Sequence, residues 1–111
     1  MAFRTDIDAL ILAVLHNNKL HGYEITKQIN AHGEKSFQVK EGQLYPILHR
    51  LENEGKIAAD WIPQEGKPAR KVYHLTDIGL RELGRHREAW RKFAASVDKA
   101  LEPRSTEVQH G

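Results

Sequence analysis

Leu44, Ile47, Leu48 and Leu51 recur at i, i+3, i+4 and i+7 within the stretch Glu41–Gly55. That spacing predicts one short helix with a single apolar stripe that must be buried against other elements. Gly55 supplies a stop, and Pro46 sits near enough to the start to cost at most one intrahelical bond. The opposite side carries Gln43, Tyr45, His49, Arg50 and Asn53, which present hydrogen-bonding groups outward. A half-buried helix with donors and acceptors at its exposed N-terminal end suits insertion into a DNA groove. Many ordinary surface helices share that pattern, so the flanking segments decide what it means.

Upstream, Thr5 and Asp8 form a capping-box-like start. Ile7, Leu10, Ile11, Val14 and Leu15 then fall on one helical face, which Leu12 and Ala13 widen beyond what one small core normally takes. The excess asks for a second helix or a second subunit. A second helix opens at Leu20–Ile25, with Tyr23, Ile25 and Ile29 as its buried candidates, Gly22 permitting close backbone approach and Gly33 closing it. Phe37 and Val39 alternate with polar residues, suggesting an extended piece that pairs with something later.

Downstream of Gly55, residues 57–62 and 70–75 read as two strands of a hairpin whose connection, residues 63–69, contains Gly and Pro. Lys67, Arg70 and Lys71 concentrate positive charge at its tip and second strand. Thr76 caps a last, long helix, with Asp77 where a carboxylate suits the helix dipole. Leu83, Trp90 and Val97 recur every seven residues along it, Phe93, Ala94 and Leu101 fill the same side, and Pro103 ends it. Its apolar stripe outruns the helix-hairpin body, so a second copy of the chain is the simplest cover.

The 111 residues suit one small body and a modest core. Lys plus Arg, at 17, barely exceed Asp plus Glu, at 15, so total charge says little about a polyanionic partner and its placement must decide. Without cysteine there is no disulfide framework, thiolate metal site or cysteine nucleophile. The seven His have no metal-ligand company at convincing spacing, and no metal or cofactor is expected. The paired acids Asp6 with Asp8 and Glu52 with Glu54 are explained by helix ends and solvent. No nucleophile–His–acid motif or glycine phosphate cradle points to an enzyme. Neither a membrane span nor a signal peptide is visible, and a soluble cytoplasmic protein is expected.

In sum the order of elements predicts a mainly α, α+β architecture, a winged helix-turn-helix with a long C-terminal dimerisation helix. Residues 1–76 would form the DNA-binding domain, 77–102 the dimerisation helix and 103–111 a frayed tail. Several stretches also occur together in the order of a known family: His21-Gly22-Tyr23-Glu24-Ile25; Gly42-Gln43-Leu44-Tyr45-Pro46, continuing through Leu48 and Arg50-Leu51-Glu52 to Gly55-Lys56-Ile57; and Arg70-Lys71-Val72-Tyr73-His74-Leu75-Thr76-Asp77-Ile78-Gly79. From the first helix to near Leu101 the chain resembles PadR-type transcriptional regulators, in particular the smaller branch with a short C-terminal helix. Glu41 departs from the small hydroxyl residue often found there, and an acid sits awkwardly beside a phosphate.

The resemblance implies a homodimeric repressor that binds a palindromic operator in double-stranded DNA and is released by a small molecule. The helix from Gly42 would enter the major groove, with Gln43, Tyr45 and His49 nearest the base edges. Lys40 and Arg50 would reach phosphates, and Lys67, Arg70 and Lys71 on the wing would supply the salt-dependent part of affinity. In some members a Trp matching Trp90 faces its symmetry mate and sandwiches a flat aromatic ligand, and the companions here would be Phe93, Val97, Leu10 and Val14. The plainer reading makes Trp90 dimer core. Tyr45 has an equally plain alternative, packing beside Leu44 and Leu48, and the wing cations one as a solvated hairpin edge. A rival from another class is a winged helix that binds protein without specific DNA binding, because Lys40, Arg50 and Lys56 are offset by Glu41, Glu52 and Glu54.

Overall fold

The computed structural model describes residues 6–34 and 36–103. In chain order it contains helix α1 (Asp6–Asn17), strand β1 (Leu20–His21), helix α2 (Gly22–Gly33), helix α3 (Glu41–Asn53), strands β2 (Ile57–Gln64) and β3 (Lys67–Leu75), and helix α4 (Asp77–Leu101). Four helices and a small antiparallel sheet make a winged helix with one long C-terminal arm. The expected cap at Thr5 and the tail from Arg104 lie outside the described residues.

Helix α1 is the axis of the body and touches α2, α3, α4 and β3. That is where its wide apolar surface goes, since Ile11, Leu12, Val14 and Leu15 are all buried. Val14, expected beside Trp90 at an interface, lies instead inside this chain's own core, because α1 is covered on more than one side. From α3 the stripe arrives as read: Leu44, Leu48 and Leu51 are fully buried and Ile47 packs against them half-covered. Each buried Leu contributes roughly 1.5–3 kcal/mol, an upper bound given a partly collapsed unfolded chain.

Gly55 ends α3 with φ +75°. The Gly55 N–H donates to the Glu52 carbonyl at 3.0 Å and the Lys56 N–H to Leu51 at 2.9 Å, the paired bonds of a Schellman stop. The start of α4 is tied to the same place. The Thr76 hydroxyl donates to the Gly55 carbonyl at 2.6 Å and accepts from the Gly79 N–H at 3.1 Å. Its N–H donates to the Lys56 carbonyl at 3.3 Å. A Cβ at Gly79 would collide with that carbonyl and lie 2.7 Å from Leu75 Cδ1, so this close approach requires glycine.

The sheet order is β1-β3-β2. Its third strand is Leu20–His21, paired Leu20 with Tyr73 and His21 with Val72, and not the Phe37–Val39 piece. Val39 is held differently: its N–H donates to Asn30 Oδ1 at 2.7 Å and its carbonyl accepts from Asn30 Nδ2 at 3.0 Å. One side-chain amide thus satisfies the backbone pair that a neighbouring strand would have satisfied. The hairpin is also longer than expected, with Gln64 opposite Lys67, an irregularity between Ile62 and Gln64, and a tight turn at Glu65–Gly66 with Gly66 at φ +71°. Tyr23 is 54% exposed, a correction to its expected burial: it lies on the outward side of α2, whose inner side is filled by Ile25 and Ile29.

Helix α4 buries Gly79 and Leu83 and then leaves the body. At about 1.5 Å per residue its 25 residues run roughly 37 Å. Along the exit Trp90, Phe93, Val97 and Leu101 stand exposed. No helix of the described residues is long and apolar enough to cross a membrane.

Candidate nucleic-acid interface

Between α3 and the wing lies a cleft of about 640 Å³ lined by His21, Gly22, Tyr23, Tyr45, His49, Trp61, Arg70, Lys71 and Tyr73. Tyr45, His49, Arg70 and Lys71 were singled out in the sequence and the fold brings them together here. His21, Tyr23 and Trp61 join them, none of which the sequence marks as a DNA contact. Carboxylates are missing from the lining, and Arg70 has no acidic partner among the described residues, so the cleft presents donors and one uncompensated guanidinium.

A further wall of the cleft is the junction of β1 and α2. His21 Nδ1 accepts from the Glu24 N–H, and the Glu24 carboxylate accepts from the His21 N–H, both at 3.3 Å, a reciprocal cap. Pairing His21 with Val72 carries this helix start to the wing. Gly22 then lets α3 close in: a Cβ there would lie 2.8 Å from the Tyr45 ring and hydroxyl. The packed phenol of Tyr45 is pushed above its ordinary pKa by burial, with Glu41 and Tyr73 adding. Tyr45 therefore stays neutral at physiological pH and can donate a hydrogen bond to an anion.

Lys71 is a different kind of cation. Its Nζ donates to Glu52 Oε1 at 3.0 Å and lies 5.1 Å from the Tyr73 ring centroid and 5.9 Å from that of Trp61. The hydrogen bond to Glu52 holds its pKa above the usual value. It remains charged, but the charge is spent on tying the wing to the end of α3. Arg50 is likewise engaged: Nη2 donates to both oxygens of Asp8, at 2.7 and 2.9 Å, and Nη1 to Glu54 at 3.4 Å. Asp8 is the first cause of its raised pKa. In this structure Arg50 braces α3 against α1 and is not directed at the cleft.

The other expected contacts sit apart. Lys67 is exposed at the tip of the wing and Lys40 at the start of α3, neither with an acidic partner among the described residues. Lys40, and not Glu41, is the N-cap of α3; its N–H donates to Gln43 Oε1 at 3.1 Å and its carbonyl accepts from the Gln43 N–H at 2.9 Å. Gln43 faces a second groove, of about 720 Å³, whose walls include Leu10 on α1, Phe37 and Val39 in the following segment, and Leu83, Arg87 and Trp90 on α4. Trp90 and Phe93 have ring centroids 5.8 Å apart. Leu10 and Trp90 therefore line the same groove, while Phe93 and Val97 lie further out on the arm and Val14 is in the core. No cluster of three His, Asp or Glu that would hold a metal occurs among the described residues.

Comparison with known proteins agrees with this fold. The model described as the transcriptional regulator PadR-like family matches residues 11–85. A transcriptional regulator of Mycobacterium tuberculosis is 36% identical over 92 residues, covering 80% of this chain and 82% of that protein. The crystal structure of a PadR-like transcriptional regulator from Bacillus cereus superposes with a TM-score of 0.78 at 31% identity, covering 90% of this chain and 95% of the other. Bacillus subtilis PadR in complex with operator DNA superposes at 0.65 with 35% identity, over 70% of this chain but 44% of that one.

Proposed function

The chain belongs to the PadR-like family of transcriptional regulators, and from that premise we propose that it acts as a homodimer on duplex DNA, repressing at a palindromic operator until a small flat aromatic effector releases it. The observation that carries the DNA-binding part is the acid-free cleft between α3 and the wing, with Arg70 uncompensated at its edge. Such a cleft fits a phosphate-lined groove edge, where cations and neutral donors position the protein and exposed side chains of α3 read bases. The solved complex of Bacillus subtilis PadR with operator DNA is consistent with this reading. On our reading of this chain Tyr45 and His49 would lie nearest the bases, Lys40, Lys67 and Arg70 would approach phosphates, and Gln43 would offer its side-chain amide from the first turn of α3.

Dimerisation is supported by the exposed stripe at 90, 93, 97 and 101, spaced like a coiled-coil seam. Two copies joined there would place two α3 helices for half-sites about one helical turn apart, roughly 34–36 Å. Effector binding is supported by the groove beside Trp90, whose size is in the range of small-molecule sites. The test is selection of duplexes from a random pool by the full chain, followed by titration at two salt concentrations. Expected are an enriched palindrome, saturation at two chains per duplex, and release by planar aromatic compounds. Failure to enrich any sequence would favour the protein-binding alternative.

A further inference from the structure

Resting on that DNA-binding reading, we infer that Trp61 is a DNA-contacting side chain, the apolar half of a wing contact in which Arg70 supplies the charge. Ile57, Ala59 and Trp61 alternate along one face of β2, opposite Leu75, Tyr73 and Lys71 of β3. The first of these is buried and the second half-covered, but Trp61 is 64% exposed. It therefore stands where the inner face of the sheet leaves the core and enters the cleft beside Tyr45 and His49. An indole there adds little to this chain's own packing, yet exposes a large apolar face.

Two observations indicate what covers it. The cleft lining has two cations and no carboxylate, which complements a polyanion. Lys71 is already committed to Glu52 and lies beneath the indole, so it positions Trp61 from below and leaves Arg70 as the phosphate ligand. The indole face then meets the apolar deoxyribose edge of the groove between phosphates.

An apolar contact and a phosphate contact have different salt signatures, because only the second releases counterions. With a duplex selected from random DNA by the full chain, Trp61→Ala should weaken binding about tenfold, the loss typical of one stacked aromatic, without changing the slope of log K against log salt. Trp61→Phe should recover most of that loss. Arg70→Ala should instead reduce the slope by about one. In the unaltered protein the Trp61 indole N–H resonance, assigned by its absence from Trp61→Phe, should shift when the duplex is added. Unchanged affinity in Trp61→Ala, or an indole resonance that ignores the duplex while the protein binds it, overturns the assignment and leaves the DNA-binding reading intact. No binding of the unaltered chain to any selected duplex overturns both.

Discussion

Gly79 and Gly84 lie in the same helix, and replacing each by Ala should change stability in opposite directions. Helix propensity alone favours both changes, by about 0.5–1 kcal/mol in a helix interior. At Gly84 nothing lies within 4 Å of the added Cβ, so Gly84→Ala should realise that gain. At Gly79 the Cβ would strike the Lys56 carbonyl, which accepts the Thr76 N–H, and press on Leu75. Neither is the loose end of a flexible chain. Overpacking costs about 1–3 kcal/mol, a weakened backbone bond about 1 and a disturbed Thr76 cap about 1. These terms are not fully additive, and against them the propensity gain is small at this first-turn position. Gly79→Ala should therefore lose about 2–4 kcal/mol. Urea unfolding followed by far-UV circular dichroism, at one fixed protomer concentration because association shifts apparent stability, measures both. A Gly79→Ala protein within about 0.5 kcal/mol of the parent, against the overpacking range expected here, would refute the claim that α4 is locked against the end of α3.

Asn30→Ala should cost about 1–3 kcal/mol by stranding the buried backbone of Val39, and hydrogen exchange at the Val39 amide should speed up. Gly22→Ala, at a buried glycine, pushes on the far end of the Tyr45 side chain, which can swing away, so stability should fall by about 1 kcal/mol, the low end of overpacking, while duplex affinity falls severalfold. Asp8→Ala removes one partner of a partly exposed ion pair worth about 0–1 kcal/mol and leaves Arg50 only the longer contact to Glu54, so its titration should show tighter duplex binding with a steeper salt slope. Val97→Glu should shift sedimentation from two chains to one, since it sets a charge in the exposed stripe of α4.

The α3 stripe and the α4 arm were legible because each repeats an apolar spacing over several turns and ends at Gly55 or Pro103. Strand β1 was not. Two residues cannot show alternation, and the partners of Leu20 and His21 lie on the wing at Tyr73 and Val72. Missing β1 meant missing the wall of the cleft that it builds, and with it His21 and Tyr23. Tyr23 reads as core because a tyrosine at core spacing counts as apolar, while its hydroxyl favours the surface where it stands. The cations divide for another reason: Arg50 and Asp8 are 42 positions apart, and Lys71 and Glu52 are 19 apart. Local sequence shows which side chains carry charge, whereas tertiary contact decides which charges are already used. Trp61 was visible as a strand residue, and its register opposite Lys71 was the signal that would have aimed it at the cleft.

The bonds between Gly55, Lys56 and Thr76 fasten the end of α3 directly to the root of α4 across the base of the hairpin. A turn of one is a turn of the other. In a pair of chains joined along their arms, the angle at which the arms cross would thus set where each α3 comes to rest. Over the roughly 27 Å of α4 beyond Leu83 a tilt of about 7° moves the far body by about 3 Å, close to the rise of one base step. The number of base pairs between the two halves of an operator then becomes a protractor reading of that crossing, and a change of a few degrees is enough to put the second helix out of phase with its groove.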